Sequence, residues 1–148
     1  MRILLTGHRG YIGTVMAPIL RAGGHDVVGL DSDLFEACTY VGTVPDVPSI
    51  RKDLRDVTPA DLEGIDAVVH LAALSNDPLG DLNPELTYEI NHLGSARLAR
   101  AAREAGVRRV QLHAQTSAEG FYRRAGFTVE GPVFVEAGIE HVEMVRVP

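Results

Sequence analysis

Tryptophan is missing from this chain, and cysteine and lysine each occur once, as Cys38 and Lys52, in 148 residues. One cysteine excludes an internal disulfide and fits a reducing, cytoplasmic setting, with Cys38 read as a small apolar residue rather than a reactive thiol. Positive charge is scarce too: 14 Lys and Arg stand against 20 Asp and Glu, a net charge of −6 and a pI near 5.4. That balance argues against a nucleic-acid or anionic-membrane partner, which needs a concentrated basic face. The arginine pairs at 108–109 and 123–124 read as solvated faces. No stretch approaches the roughly 20 apolar residues that span a bilayer, and "MRILLTG" has too short an apolar run for a signal peptide. The six histidines, at 8, 25, 70, 92, 113 and 141, include no close pair at metal-ligand spacing, so a metal site is not expected.

What is present is the mix of an ordinary globular protein, 45% hydrophobic and 23% charged, at a length suited to one domain. "RILLT" reads as a buried strand, "GHRGYIG" as a glycine turn, and "YIGTVMAPILRAGG" as a helix closed by a glycine pair. "HDVVGLD" is a second strand ending on an acid. Residues 32–48 carry two prolines and no period, which marks a functional or mobile loop. "IRKDL" is a short third strand, "TPADLEG" a brief helix capped by Thr58 with Pro59 at its first position, and "DAVVHLAA" a fourth strand. A long helix over "PELTYEINHLGSARLARAAREAG" stops at Gly106, and "VRRVQLHA" is the fifth strand. Strands that are apolar on both faces, alternating with helices, predict a parallel sheet covered on both sides. The rhythm then changes. "TSAEGFYRRAG" reads as one more helix, and "FTVEGPVFVE" and "IEHVEMVRV" as an antiparallel hairpin turned at "AG".

Gly7, Gly10 and Gly13 fall between the first strand and the first helix, and Asp31 closes the second strand. Each has a physical role toward a dinucleotide. Gly7 permits a tight turn, Gly10 lets the backbone approach a pyrophosphate, and Gly13 lets helix and strand pack closely. The helix N-terminus offers free N–H groups and a positive dipole end to the phosphates. Asp31, about twenty residues downstream, is placed to accept hydrogen bonds from the adenosine ribose. Asp31 favours NAD, since it would repel a 2′-phosphate. Arg9 points toward NADP, because a guanidinium could pair with that phosphate. NAD is the preferred cofactor.

With "TGHRGYIG", "GLDSD", "KDLRD", "VVHLAALSNDP" and "EINHLGSARLARAAREAGVRR" in this order, residues 1–109 resemble the NAD-binding half of the extended short-chain dehydrogenase/reductases, the sugar-nucleotide epimerases and dehydratases. The resemblance implies that Tyr11 and Ile12 line the pyrophosphate turn and that Asp53 and Leu54 flank the adenine. It implies further that Leu71, Ala72 and Ala73 pass under the middle of the cofactor, and that Asn91 steadies the neighbouring strand from its helix. In that family a Tyr-x-x-x-Lys pair supplies the acid/base, the lysine lowering the tyrosine pKa. Here the fifth strand ends in His113, Ala114 and Gln115, Tyr122 has Gly126 four places on, and Lys52 lies far upstream. Epimerase or dehydratase turnover is therefore not expected, the less so because the substrate-binding domain of the family is not in this sequence.

Residues 111–148 resemble the C-terminal end of the GNAT acetyltransferases. There the tyrosine matching Tyr122 often protonates coenzyme A, but the pyrophosphate-clamping turn of that family is not found here, so Tyr122 reads as a half-buried aromatic. The two resemblances imply a chimera joined near "VRRVQ", either engineered or natural. The expected fold is one α/β Rossmann-like three-layer domain over 1–148, with 1–109 as dinucleotide-binding part and 110–148 as acetyltransferase-like helix and closing hairpin. Its expected strand order is 3-2-1-4-5-7-6 with strand seven antiparallel. The expected function is NAD binding without catalysis. A residual epimerase/dehydratase or an acetyl-CoA-binding remnant is the alternative.

Overall fold

The computed structural model describes residues 1–35, 46–75 and 77–147, so Cys38 and most of the loop at 32–48 lie outside the described residues. The chain forms two compact units, 1–107 and 108–148.

In the first unit, β1 (Arg2–Thr6), β2 (Asp26–Asp31), β3 (Ser49–Arg51) and β4 (Ala67–His70) form a parallel sheet in the order β3-β2-β1-β4. Successive side chains of β1 point to opposite faces, and both faces are apolar. Leu4 enters one core with Val28, Leu30, Leu54, Leu62 and Leu98. Leu5 enters the other with Val27, Ala17 and Val47, against Met16 and Leu20 of α1 (Gly13–Ala22). Leu4, Leu5 and Leu30 are buried to 1% exposure or less, and each such side chain contributes roughly 1.5–3 kcal/mol of transfer free energy.

After α2 (Asp77–Leu82), Asn83 starts the next helix by accepting a 3.0 Å hydrogen bond from the Leu86 amide, with Pro84 at the first position. The helix expected as one piece over 84–106 has three parts: α3 (Pro84–Tyr88), a π-helical turn (Glu89–Gly94) and α4 (Ser95–Glu104). Leu98, Ala101 and Ala102 of α4 pack on the Leu4 face of the sheet. Helices on both faces make this unit the three-layer Rossmann-like arrangement that its strand pattern implies.

The second unit carries β5 (Val110–Gln115), α5 (Glu119–Arg124), β6 (Thr128–Glu136) and β7 (Ile139–Arg146). Its order is β5-β7-β6, with β7 antiparallel to both neighbours and therefore β6 parallel to β5. Met144 and Val142 are buried beneath Tyr122, Phe127 and Leu112, as expected for a central strand. Pro132 lies on the edge strand, inside the register shift between Glu130 and Phe134, where its missing N–H breaks no ladder.

The expected seven-stranded sheet is thus corrected in one place. The orders 3-2-1-4 and 5-7-6 are formed as two sheets, one in each unit. The physical reason is the side-chain pattern. "VQLHAQ" alternates, with Leu112 and Ala114 on the apolar side and Gln111, His113 and Gln115 on the other. Such a strand suits a sheet with one covered face, whereas β1 and β2 are apolar on both.

The "AG" turn of the β6–β7 hairpin holds Ala137 at φ +52° and Gly138 at φ +79°, both left-handed, as a two-residue turn of this handedness requires. A Cβ in that region costs about 1–2 kcal/mol. Ala137→Gly is therefore expected to raise the thermal midpoint, and the β-branched Ala137→Val to lower it. A scanning calorimetry trace in which glycine lowers the midpoint contradicts this account of the turn.

Candidate functional site

At the end of β1 the chain turns through the glycine loop. Gly7 has φ +70°, and its N–H donates to the Leu30 carbonyl at 2.8 Å. A Cβ on Gly7 would lie 2.9 Å from the Ala72 nitrogen, and one on Gly13 would lie 2.1 Å from the Gly7 oxygen. Both glycines are required by close approach. Gly10 differs: the nearest atom to a Cβ there is the Gly7 oxygen at 3.2 Å, with nothing else within 4 Å. Its backbone is the part of the loop that a ligand can reach. Tyr11 and Ile12 follow, 88% and 57% exposed. No side chain caps α1 at Ile12, and the Thr14 and Val15 amides bond the Gly10 and Ile12 carbonyls, so what the helix start offers a ligand is its positive dipole end and the amides before Thr14.

Asp31 closes β2 beside this loop. Its Oδ2 accepts from the Arg9 amide and its Oδ1 from the Asp33 amide, both at 3.0 Å. Asp33, at φ +59°, turns its carboxylate toward Arg9 Nε at 3.2 Å and Arg51 Nε at 3.4 Å. The Arg9 guanidinium thus lies on a carboxylate. His8, which sequence reasoning considered only as a metal ligand, is buried beneath the loop. Its Nε2 lies 3.2 Å from Ser49 Oγ and its Nδ1 3.9 Å from Asp31 Oδ2. The imidazole fills the space beside Gly29, where a Cβ would come within 2.4 Å of the ring. Burial lowers the His8 pKa, against the opposing pull of Asp31.

Asp53 and Leu54 take other positions. Asp53 caps the short turn Leu54–Asp56. Its Oδ1 accepts from the Arg55 amide and Nε, and its Oδ2 from Arg55 Nη2 at 2.8 Å. The Arg55 guanidinium holds the Asp53 carboxyl below its ordinary pKa. Leu54 is buried in the core, in contact distance of Gly94. Lys52 is held by both Asp61 oxygens at 2.7 Å. Burial raises the Asp61 pKa, but the bonds from Lys52 and Thr58 outweigh it and lower the net value.

The segment after β4 meets the loop directly. Thr6, fully buried, receives the Leu71 and Ala72 amides on Oγ1 at 3.2 and 3.3 Å. Ala73 follows on the exposed side. Asn91, in the π-helical turn, clasps the Leu74 backbone with two 2.8 Å bonds, Leu74 N–H to Oδ1 and Nδ2 to the Leu74 oxygen. His70 stands between Thr6 Oγ1 at 2.7 Å and Ser95 Oγ at 2.8 Å. The structure therefore brings together Gly7, Gly10, Gly13, Leu71 and Ala72, with Asp31 tied to the loop through Arg9 and Asn91 tied to the strand end through Leu74. Sequence reasoning missed Thr6, His8 and His70. The available signal was a threonine ending an otherwise apolar strand, since a buried hydroxyl must find partners.

Among the described residues no group of His, Cys, Asp and Glu could hold a metal, and no helix is long and apolar enough to cross a membrane. The crevice lies at the C-terminal ends of β1 and β4, where the strand order reverses from β1-β2-β3 to β4, the usual ligand position in such sheets.

Comparison with known proteins identifies relatives over most of the chain. The chain is 34% identical over 116 residues to UDP-glucose 4-epimerase of Mycolicibacterium smegmatis, covering 74% of this chain and 37% of that protein. The structure of UDP-glucose-4-epimerase from Stenotrophomonas maltophila, with bound NAD and formylated UDP-arabinopyranose, superposes with a TM-score of 0.62 at 33% identity. That of the Thermus thermophilus UDP-glucose 4-epimerase in complex with NAD gives 0.61 at 34%. Each of these two matches covers 73% of this chain and 35% of the other. The chain thus spans about a third of the length of these relatives. The model of one family matches residues 3–122, running past position 109, through β5 and into α5. By that match this chain belongs to the NAD dependent epimerase/dehydratase family.

Proposed function

We propose that this chain supplies the dinucleotide-binding portion of an NAD-dependent sugar-nucleotide epimerase or dehydratase. The observation that carries the reading is the convergence of the glycine loop, Asp31 and the Leu71–Ala72 backbone at one crevice. The residues present fit the cofactor. The open side of Gly10 and the uncapped start of α1 suit a pyrophosphate. Asp31 keeps a lone pair on each oxygen for a ribose hydroxyl after its two backbone bonds. Leu71, Ala72 and Ala73 offer backbone beneath the middle of the cofactor. Asp53 and Leu54 contribute on the adenine side through the turn that Asp53 caps, since its carboxylate is committed to Arg55. Asp31 disfavours a 2′-phosphate, and the Arg9 charge that would welcome one is matched by Asp33. NAD, when bound, supplies the hydride acceptor of this reaction class.

The acid/base pair is not supplied by these residues. Lys52 is committed to Asp61, and Tyr122 packs edge-to-face on Phe127 with ring centroids 5.8 Å apart. A second reading, in which 110–148 derives from an acetyltransferase, is favoured by one observation: β7 stands antiparallel between β5 and β6, outside the parallel pattern of dinucleotide-binding units. Against a join near 109 stands the family match that continues to residue 122. The epimerase/dehydratase reading therefore replaces the expectation of a non-catalytic chimera as the main one.

Calorimetric titration of NAD is expected to give a dissociation constant between micromolar and millimolar, with acetyl-CoA giving no saturable heat. Asp31→Ala, which removes a charged acceptor, is expected to weaken NAD about tenfold or more. Saturable acetyl-CoA binding, or no response to millimolar NAD, overturns the reading. Gly13→Ala places a Cβ 2.1 Å from the Gly7 oxygen, and such overpacking costs about 1–3 kcal/mol. It is expected to lower the thermal midpoint and NAD affinity together, and an unchanged midpoint contradicts the close approach described.

A further inference from the structure

The hydrogen bonds around His70 have only one consistent direction. Thr6 Oγ1 accepts from the Ala72 N–H at 3.3 Å and from the Leu71 N–H at 3.2 Å, the latter shared with the Thr6 carbonyl at 3.3 Å. A hydroxyl has two lone pairs and one proton, so both lone pairs are in use and the proton must go outward. The polar atom 2.7 Å away is His70 Nδ1. Nδ1 is therefore an acceptor, and the single proton of a neutral imidazole sits on Nε2. Nε2–H then donates to Ser95 Oγ at 2.8 Å, and the Ser95 hydroxyl donates to the Asn91 carbonyl at 2.7 Å. The Asn91 side chain closes the circuit on both backbone groups of Leu74. The chain thus begins on the amides of residues 71 and 72, crosses from β1 to the helix, and ends on residue 74.

This arrangement excludes a nucleophile–base pair between Ser95 and His70. A base must accept the serine proton, whereas here Nε2 is the donor and the serine proton is committed to a carbonyl one turn back. A protonated imidazole breaks the circuit. It would present N–H at both nitrogens, leaving Thr6 Oγ1 with three donors and no acceptor for its own proton.

We propose that His70 is a positioning residue of the cofactor crevice: as the neutral Nε2–H tautomer it joins Thr6 to Ser95 and Asn91 and so holds the 71–74 backbone in the place where the dinucleotide lies. This deepens the reading of the crevice as an NAD site and, for its effect on affinity, rests on that reading. Among the described residues the ring's hydrogen-bond partners are Thr6 from β1 and Ser95 from the helix; His70 keeps an exposed side, and partial desolvation of the ring, with no charged side chain contributing, holds its pKa below the ordinary histidine value. The sign follows. The folded chain resists the proton that the unfolded chain accepts near pH 6.5, so the linked stability is present above about 6.5 and is lost as pH falls from there through the folded-state value.

Three substitutions separate the parts of the circuit. His70→Asn retains an acceptor toward Thr6, His70→Gln retains a donor toward Ser95, and His70→Phe retains only the ring shape. In the wild type, long-range nitrogen–proton NMR is expected to show the neutral ring protonated at Nε2. Amide protection at Leu71, Ala72 and Leu74, taken relative to the intrinsic base-catalysed exchange rate at each pH, is expected to fall together from pH 8 to pH 5 (values chosen to bracket the ordinary histidine pKa). NAD affinity is expected to fall about tenfold over the same range, on the scale of one or two positioning hydrogen bonds. In the asparagine and glutamine variants most of this pH dependence disappears. Whatever remains belongs to His8, the other histidine of the site with a lowered pKa. A ring protonated at Nδ1 overturns the inference, as does a pH profile of exchange unchanged in both polar variants. If the wild type binds no NAD, the proposed function fails, while the tautomer and the exchange at 71, 72 and 74 in the free protein still decide the role of His70.

Discussion

The meeting of the end of β1 with the end of β4 is the contact on which the rest of the crevice depends. Thr6 is completely buried, its hydroxyl holds two amides of the following segment, and Gly7 sits so close to Ala72 that a Cβ would come within 2.9 Å of its nitrogen. No side chain larger than hydrogen fits at Gly7, and the Ala72 amide depends on the Thr6 hydroxyl, while the Leu71 amide also bonds the Thr6 carbonyl. Leaving a buried amide without a partner costs about 1–3 kcal/mol. This one junction sets the height of the glycine loop over the sheet, the start of α1 and the course of residues 71–74.

Around it, polar groups are fixed by reciprocal commitments. Asp31 is aimed by two backbone amides, Asp33 gathers Arg9 and Arg51, and His8 occupies the volume that Gly29 leaves empty. The Asp31 carboxylate is therefore pre-oriented. Orientation that precedes binding lowers its entropic cost. The π-helical turn at Glu89–Gly94 serves the same end, because it carries Asn91, which grips Leu74, within a helix that also packs Leu98 into the core. Such turns are frequent at functional sites.

Much of this was legible in the residues. Glycine at 7, 10 and 13 after an apolar strand, an acid at 31 and strands apolar on both faces identify a dinucleotide-binding sheet, because each feature follows from local geometry or burial. The hairpin was legible in the same way: alternation in "HVEMVRV" and the proline in "TVEGPVFVE" place β7 in the centre and β6 at the edge. That β5 belongs to a sheet covered on one face was visible in principle, since "VQLHAQ" alternates while "RILLT" does not, but the run of strand–helix units drew it into the parallel pattern.

The sequence by itself determined which residues could line a phosphate turn, which strands are covered on two faces and which on one, and that the only lysine lies far from any tyrosine with Tyr-x-x-x-Lys spacing. These are matters of spacing and side-chain type. Only the tertiary structure decided that Asp53 is spent on Arg55, that Lys52 is paired with Asp61, that Arg9 lies on Asp33, and that Thr6, His70, Ser95 and Asn91 form one directed chain. The members of that chain stand up to 64 residues apart at a single bond. Hydrogen-bond partners at such separation are chosen by the packing of helices on the sheet and leave no period in the sequence.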